Sequence, residues 1–171
     1  MPVYPSIPAG RRITDALLES MLPIVVVKSA GESVTSSTTL QNDNELLAPV
    51  EANATYDVFL LLLHDSDATA AADIKVGWTG PASAALNWGV HGANSAATSS
   101  TSALTNMQTR TIAEVAAFGG GDSSGTTALI YGTLTTAGTA GTLQLQWAQE
   151  TSNGVATNVR AGSRLEVRRT A

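Results

Sequence analysis

The sequence predicts an all-β chain, a jelly-roll-like antiparallel β-sandwich with an N-terminal extended arm and one short helix. Three observations carry that expectation. From Ile24 onward apolar residues recur with period two, the alternation of a strand that buries one face. Gly, Asn and Asp clusters interrupt these stretches at short intervals, as turns do. Ala, Thr, Ser and Gly dominate and only 13% of residues are charged, which suits pleated strands and tight turns better than long surface helices. About eight short strands of this kind point to a sandwich or jelly roll.

Residues 1–12 read as an extended arm. Pro2, Pro5 and Pro8 forbid a helix, while Tyr4 and Ile7 are apolar with nothing local to pack on. Such an arm is either disordered or laid along a neighbouring subunit, and its two apolar residues favour docking. Thr14 can N-cap a helix with Asp15 in its first turn. Leu17, Leu18, Met21 and Leu22 then share one face until Pro23 stops it. A helix this short needs something to pack against. The chain therefore divides into residues 1–23, an anchoring arm and helix, and residues 24–171, the sandwich.

Within the sandwich, residues 24–28 open the first strand and residues 32–40 form a Thr/Ser-rich second one. Asn42, Asp43 and Asn44 predict a turn before a strand at 46–50, and Ala52-Asn53-Ala54 leads into a strand at 55–64. There the run Val58 to Leu63 is apolar on both faces, which places it in a sandwich interior or against another subunit. Residues 73–79 put Ile74, Val76 and Trp78 on one face. Residues 126–136 follow, and 142–149 put Leu143, Leu145 and Trp147 inward with Gln144 and Gln146 outward. Residues 164–168 put Leu165 and Val167 inward. Asn153-Gly154 signals a hairpin. Residues 91–102 and Gly119-Gly120-Gly121 are small and polar, and read as loops.

Composition narrows the function classes. A chain of 171 residues buries roughly 70% of its unfolded surface and can hold one core without staples. There are no cysteines, so disulfides and thiolate metal sites are excluded, and assembly in a bacterial cytoplasm fits. The net charge is −5, and between Gly31 and Thr109 eight acids face a single base, Lys75. An acidic body repels phosphate backbones, so no nucleic-acid partner is expected. Arg160, Arg164, Arg168 and Arg169 crowd the C-terminal end, which either protects an edge strand or docks on an acidic neighbour. The N-terminal stretch has no apolar signal region, and the run Val58 to Leu63 is far short of the ~20 residues a spanning helix needs, so no membrane partner is expected.

Chemistry finds little purchase. Gly121-Asp122-Ser123-Ser124-Gly125 resembles the serine motif of chymotrypsin-like proteases, and His64, Asp73 and Ser123 follow in His, Asp, Ser order. The motif departs at Ser124, where that family has glycine, so a turn is the better reading. His64 and His91 have no zinc-type companions, and each reads as a strand-end or loop residue. Asp65-Ser66-Asp67 begins like a calcium loop, but Ala70 and Val76 stand where glycine and glutamate are needed, so a turn is expected. No cofactor, metal or catalytic residue is assigned, and the chain is expected not to be an enzyme. Of the three tryptophans, Trp78 and Trp147 lie in phase with core positions. Trp88 is the one expected at the surface, and with His91 it forms the candidate recognition pair of an alternative reading, a carbohydrate-binding module for host surface glycan.

Several segments together carry a family resemblance. They are Ile7-Pro8-Ala9-Gly10-Arg11-Arg12-Ile13-Thr14, Leu17-Leu18-Glu19-Ser20-Met21-Leu22-Pro23 and Val34-Thr35-Ser36-Ser37-Thr38-Thr39-Leu40. Pro49-Val50-Glu51-Ala52-Asn53-Ala54-Thr55-Tyr56, Ala72-Asp73-Ile74-Lys75-Val76-Gly77-Trp78, Gly141-Thr142-Leu143-Gln144-Leu145-Gln146-Trp147-Ala148-Gln149 and Ala161-Gly162-Ser163-Arg164-Leu165 continue the pattern. The middle, residues 80–125, matches least. These segments resemble small structural proteins of tailed bacteriophages and prophages of actinobacteria, and the resemblance implies a virion component, tail-associated or capsid-decorating, commonly a homotrimer and in contact with other virion proteins. On that reading Tyr4, Ile7, Arg11, Arg12, Leu17, Leu18, Met21 and Leu22 are the anchoring residues.

Overall fold

The computed structural model describes residues 7, 9, 10, 12–66, 73–93, 95, 108–119 and 124–171. Among the described residues one helix, α1 (Asp15–Glu19), precedes twelve strands. These are β1 (Ile24–Val27), β2 (Glu32–Val34), β3 (Gln41–Val50), β4 (Thr55–Ser66), β5 (Ile74–Thr79), β6 (Ala85–His91), β7 (Arg110–Thr111), β8 (Ala116–Phe118), β9 (Thr126–Thr135), β10 (Gly141–Gln149), β11 (Thr157–Val159) and β12 (Arg164–Arg169). They form two antiparallel sheets. The larger runs β1-β12-β4-β9-β6-β7, with β11 and β2 continuing along the β12 side of β4; the smaller runs β3-β10-β5-β8.

The pairing has a nested order. β1 pairs β12, β2 pairs β11, β3 pairs β10, β4 pairs β9, β5 pairs β8, and β6 pairs β7. First meets last, then second meets second to last, inward to the innermost pair. The chain is thus one long antiparallel ribbon doubled back on itself, then rolled so that β12 and β11 also meet β4, β10 meets β5, and β6 meets β9. Rolling such a ribbon into two facing sheets is the jelly-roll topology.

Alternation decides which side chains close the sandwich. The larger sheet turns in Val58, Leu60, Leu62, Leu86, Trp88, Ile130, Leu134 and Leu165; the smaller turns in Leu46, Ile74, Val76, Leu143, Leu145 and Trp147. At about 25 cal/mol per Å² of apolar surface, full burial of one Leu or Ile contributes on the order of 2 kcal/mol. These facing layers are therefore the main force holding the sheets together.

Three turn expectations are corrected. Asn42, Asp43 and Asn44 lie inside β3 rather than before it. The register of β10 against β3 shifts between Gln144 and Gln146, so the turn-forming residues make a bulge inside a continuous strand. Asp43 turns inward there, its carboxylate accepting the N–H groups of Glu45 (2.9 Å) and Leu46 (2.8 Å). Asn153-Gly154 joins β10 to β11 across the two sheets, and neither residue has the positive φ of a two-residue hairpin turn. Asp65 and Ser66 extend β4, opposite Asn158 and Thr157, instead of turning. The expected strand at 32–40 stops at Val34. Beyond it Ser36 takes φ 54°, and Thr39 N–H is held by the Ser37 hydroxyl (3.3 Å), local bonding that competes with a ladder.

Candidate assembly surface

The N-terminal segment is built as its sequence requires. Thr14 Oγ1 accepts the Leu17 N–H at 3.2 Å and Thr14 O accepts the Leu18 N–H at 3.1 Å, an N-cap followed by the first helical bond. The chain leaves α1 through Met21 and Leu22, whose N–H groups return to Leu18 O and Glu19 O, and Pro23 directs it into β1. The helix finds only partial cover. Ile13 is 61% exposed, Leu18 54% and Leu22 67%; Met21 and Ile7 are exposed as well, and Leu17 is half-buried. Arg12 is exposed, whereas Tyr4 and Arg11 lie outside the described residues. Between α1 and the end of the sandwich lies a cleft of about 250 Å³, bordered by Leu22, Ile24, Val50, Tyr56 and Val167.

A second apolar patch lies on the outside of the larger sheet, centred on β4 and β9. The run Val58 to Leu63 divides by parity: Val58, Leu60 and Leu62 face the core, while Phe59 is 40% exposed and Leu61 and Leu63 are half-buried. On the neighbouring β9, Tyr131 (48% exposed) stands opposite Phe59 and the exposed Leu129 stands opposite Leu61. Tyr131 also lies across Gly89 of β6, where a side chain would come within 3.6 Å of its ring. Val25 and Val27 expose the same side of β1, at the sheet edge. Neither Phe59 nor Tyr131 was singled out from the sequence. Their signal was a strand apolar on both faces, already visible in residues 58–63 and repeated in Leu129-Ile130-Tyr131.

The recognition pair is not assembled as expected. Trp88 is buried, 1% exposed, because Leu86, Trp88 and Val90 are the inward positions of β6. Its Nε1 donates to Thr111 O at 2.9 Å, and the Arg110 guanidinium lies 5.9 Å from its ring. It belongs to the core and offers no stacking face. His91 sits at the end of β6, partly exposed and opposite Leu129. The exposed aromatic of this region is Tyr131, in a depression of about 370 Å³ bordered by Asp57, Asn87, Thr109 and Thr133.

His64 is 1% exposed, edge-on to Phe118 at 5.1 Å, and its Nδ1 has no hydrogen-bond partner among the described residues. Burial pushes its pKa down to about 3, so it stays neutral. Residues 120–123, including Ser123 and most of the glycine-rich loop, lie outside the described residues, as does Asp67. No cluster of three or more His, Asp or Glu suited to a metal ion occurs among the described residues.

The charged interior is structural. Lys28 is buried, its Nζ 3.0 Å from both oxygens of the fully buried Asp43 and also paired with Glu32. Burial alone would lower the ammonium pKa, but Glu32 and Asp43 outweigh it and raise the pKa above the ordinary 10.5. Glu32 also accepts the Asn44 N–H at 3.0 Å, so the triad ties β2 and the end of β1 to the bulge of β3 in the other sheet.

No protein-family model matches this chain, and no curated protein does. Among solved structures it is similar to VP2 of infectious bursal disease virus in a subviral particle, at 11% identity and a TM-score of 0.21, over 99% of this chain and 42% of that one. The structure of the Gx strain of the same virus gives 10% identity and a TM-score of 0.19, over 86% and 40%. The chain spans less than half the length of these proteins.

Proposed function

We propose that this chain is a non-enzymatic structural protein of a bacteriophage virion, tail-associated or capsid-decorating, assembled in the host cytoplasm. It works as a homo-oligomer, a trimer on this reading, and is held in the particle through its N-terminal segment. The observation that carries the proposal is the apolar segment Ile13, Leu18, Met21 and Leu22, exposed at the end of the jelly roll. Exposed apolar patches of this kind mark contacts with other proteins. The resemblance of seven sequence segments to phage structural proteins supports the virion placement.

Two measurements test it. Light scattering of the purified chain gives a discrete oligomer, and a monomer at micromolar concentration rejects the assembly. Quantitative mass spectrometry of particles from the encoding genome finds the chain at fixed copy number, and its absence from them rejects the virion role.

One observation supports a second reading, a host-glycan module. An exposed aromatic face beside carboxylate, amide and hydroxyl groups is the chemistry that stacks on and hydrogen-bonds a sugar, and the depression at Tyr131 supplies it beside Asp57, Asn87 and Thr133. The relevant aromatic is then Tyr131, not Trp88. A glycan array expects binding that falls at least ten-fold in Tyr131→Ala; a silent array removes this reading.

A further inference from the structure

An amine and a carboxyl group meet inside the sandwich with little water around them. Lys28 is 1% exposed and Asp43 is fully buried. The Lys28 Nζ donates to both Asp43 carboxylate oxygens at 3.0 Å. An atom so placed lies about 3–3.5 Å from the carbon between those oxygens, the separation of groups poised to react. Both partners are fixed from behind. The Lys28 N–H and carbonyl are bonded to Ser163 and Gly162 at 2.8 Å, and the neighbouring Ser29 N–H donates to Glu45 at 2.8 Å.

The groups around this pair are those an acyl transfer needs. Asp43 Oδ1 accepts two backbone N–H groups, from Glu45 at 2.9 Å and Leu46 at 2.8 Å, the arrangement of an oxyanion hole. Glu32 Oε1 accepts a hydrogen bond from the same Nζ and the Asn44 N–H at 3.0 Å. One ammonium thus faces two carboxylates, so one can react while the other carries protons. Burying opposite charges is costly even when they pair, and condensing them into an amide removes both.

We propose that Lys28 and Asp43 become joined by an intramolecular isopeptide bond, which the chain forms on itself with Glu32 as proton carrier. Glu32 takes one proton from the Nζ ammonium and passes it to Asp43 Oδ2. The freed lone pair of Nζ attacks Cγ, and the Glu45 and Leu46 N–H groups hold the oxyanion at Oδ1. Glu32 then moves a second proton from nitrogen to the Oδ2 hydroxyl. The Cγ–Oδ2 bond breaks, one water leaves, and Nζ keeps a single amide hydrogen. Nothing is oxidised or reduced, and Glu32 ends as the carboxylate it began. Burial favours the neutral amine, but Glu32 and Asp43 outweigh it and hold the ammonium charged. The bond therefore forms after folding, from a minor neutral form. It ties the end of β1, the edge of the larger sheet, to β3, the edge of the smaller, in a chain that has no cysteine for a disulfide.

Intact-mass spectrometry of the denatured full-length protein tests the bond. The expected mass is one water below that of the sequence. Cleavage after glutamate should then leave residues 20–32, which carry Lys28, joined to residues 33–45, which carry Asp43. A wild type at full sequence mass overturns the proposal. Loss of water with these two peptides separate places the dehydration elsewhere and overturns it as well. Glu32→Gln keeps the amine and its acceptor, and should cross-link at least about ten-fold more slowly while matching the wild-type circular dichroism. Cross-linking of Glu32→Gln at the wild-type rate would remove Glu32 from the reaction.

Discussion

At the end of β4 the rolled ribbon seals the His64 imidazole under Phe118 and leaves its Nδ1 without a hydrogen bond among the described residues. The physical consequence is a pH dependence with a definite sign. In the unfolded chain the imidazole takes up a proton near its ordinary 6.5, whereas in the fold it does so only near 3. Between those values the unfolded state binds more protons, so acidification favours unfolding. Stability from this group is complete above pH 6.5 and is lost as pH falls towards 3, at up to about 1.4 kcal/mol per pH unit. Urea unfolding of wild type and His64→Leu at pH 7, 6, 5 and 4 measures it. The wild type should lose stability more steeply than the variant across that range, and parallel profiles would mean that the buried imidazole ionises freely. Nothing local to His64 announced this, since a strand-end histidine is ordinary until the strand that covers it is known.

Among elements, legibility followed how much of the pattern is local. β5, β10 and β12 were readable because strict alternation names their inward residues without knowledge of any partner, and Ile74, Trp147 and Leu165 are all fully buried. The cap of α1 was equally local, one hydroxyl and a spacing. β6 was missed although Leu86, Trp88 and Val90 alternate, because Asn87 and Gly89 between them look like loop residues. Gly89 is tolerated in the strand because the Tyr131 ring covers it, a contact between residues far apart in sequence. The bulge in β3 was illegible for a related reason. Asn42-Asp43-Asn44 is turn chemistry, and only a buried cation contributed by Lys28 makes it worth folding Asp43 inward. Removing one member of such a buried pair strands the other, which is why the arrangement persists despite the desolvation of both. The candidate surface was half legible. The apolar helix face was plain, but the exposed apolar side of the sheet required knowing which parity of β4 and β9 looks outward.

For the whole molecule, the nested pairing makes the two ends of the sandwich interdependent. β1 has β12 as its ladder partner, from Ile24 opposite Val167 to Val27 opposite Arg164, and β12 also covers one side of β4 from Tyr56 to Leu61. Lys28 extends the closure, its N–H bonding Ser163 O and its carbonyl accepting the Gly162 N–H, both at 2.8 Å. Chain closure over such a sequence separation costs entropy before any contact repays it, so folding should be slow, in the millisecond-to-second range of non-local β topologies. The same logic makes the C-terminal strand indispensable. Deleting residues 160–171 removes the buried Leu165 and Val167, frees β1, and opens an apolar edge on the strand that carries Leu60. Two apolar core side chains at on the order of 2 kcal/mol each, together with a full ladder, already rival the 5–15 kcal/mol that holds a domain of ordinary stability. The truncated chain should therefore show no cooperative thermal transition by calorimetry and no near-ultraviolet dichroism from its tryptophans. A sharp melt within a few degrees of the full chain would mean that β12 is an accessory strand and that the ribbon closes without it.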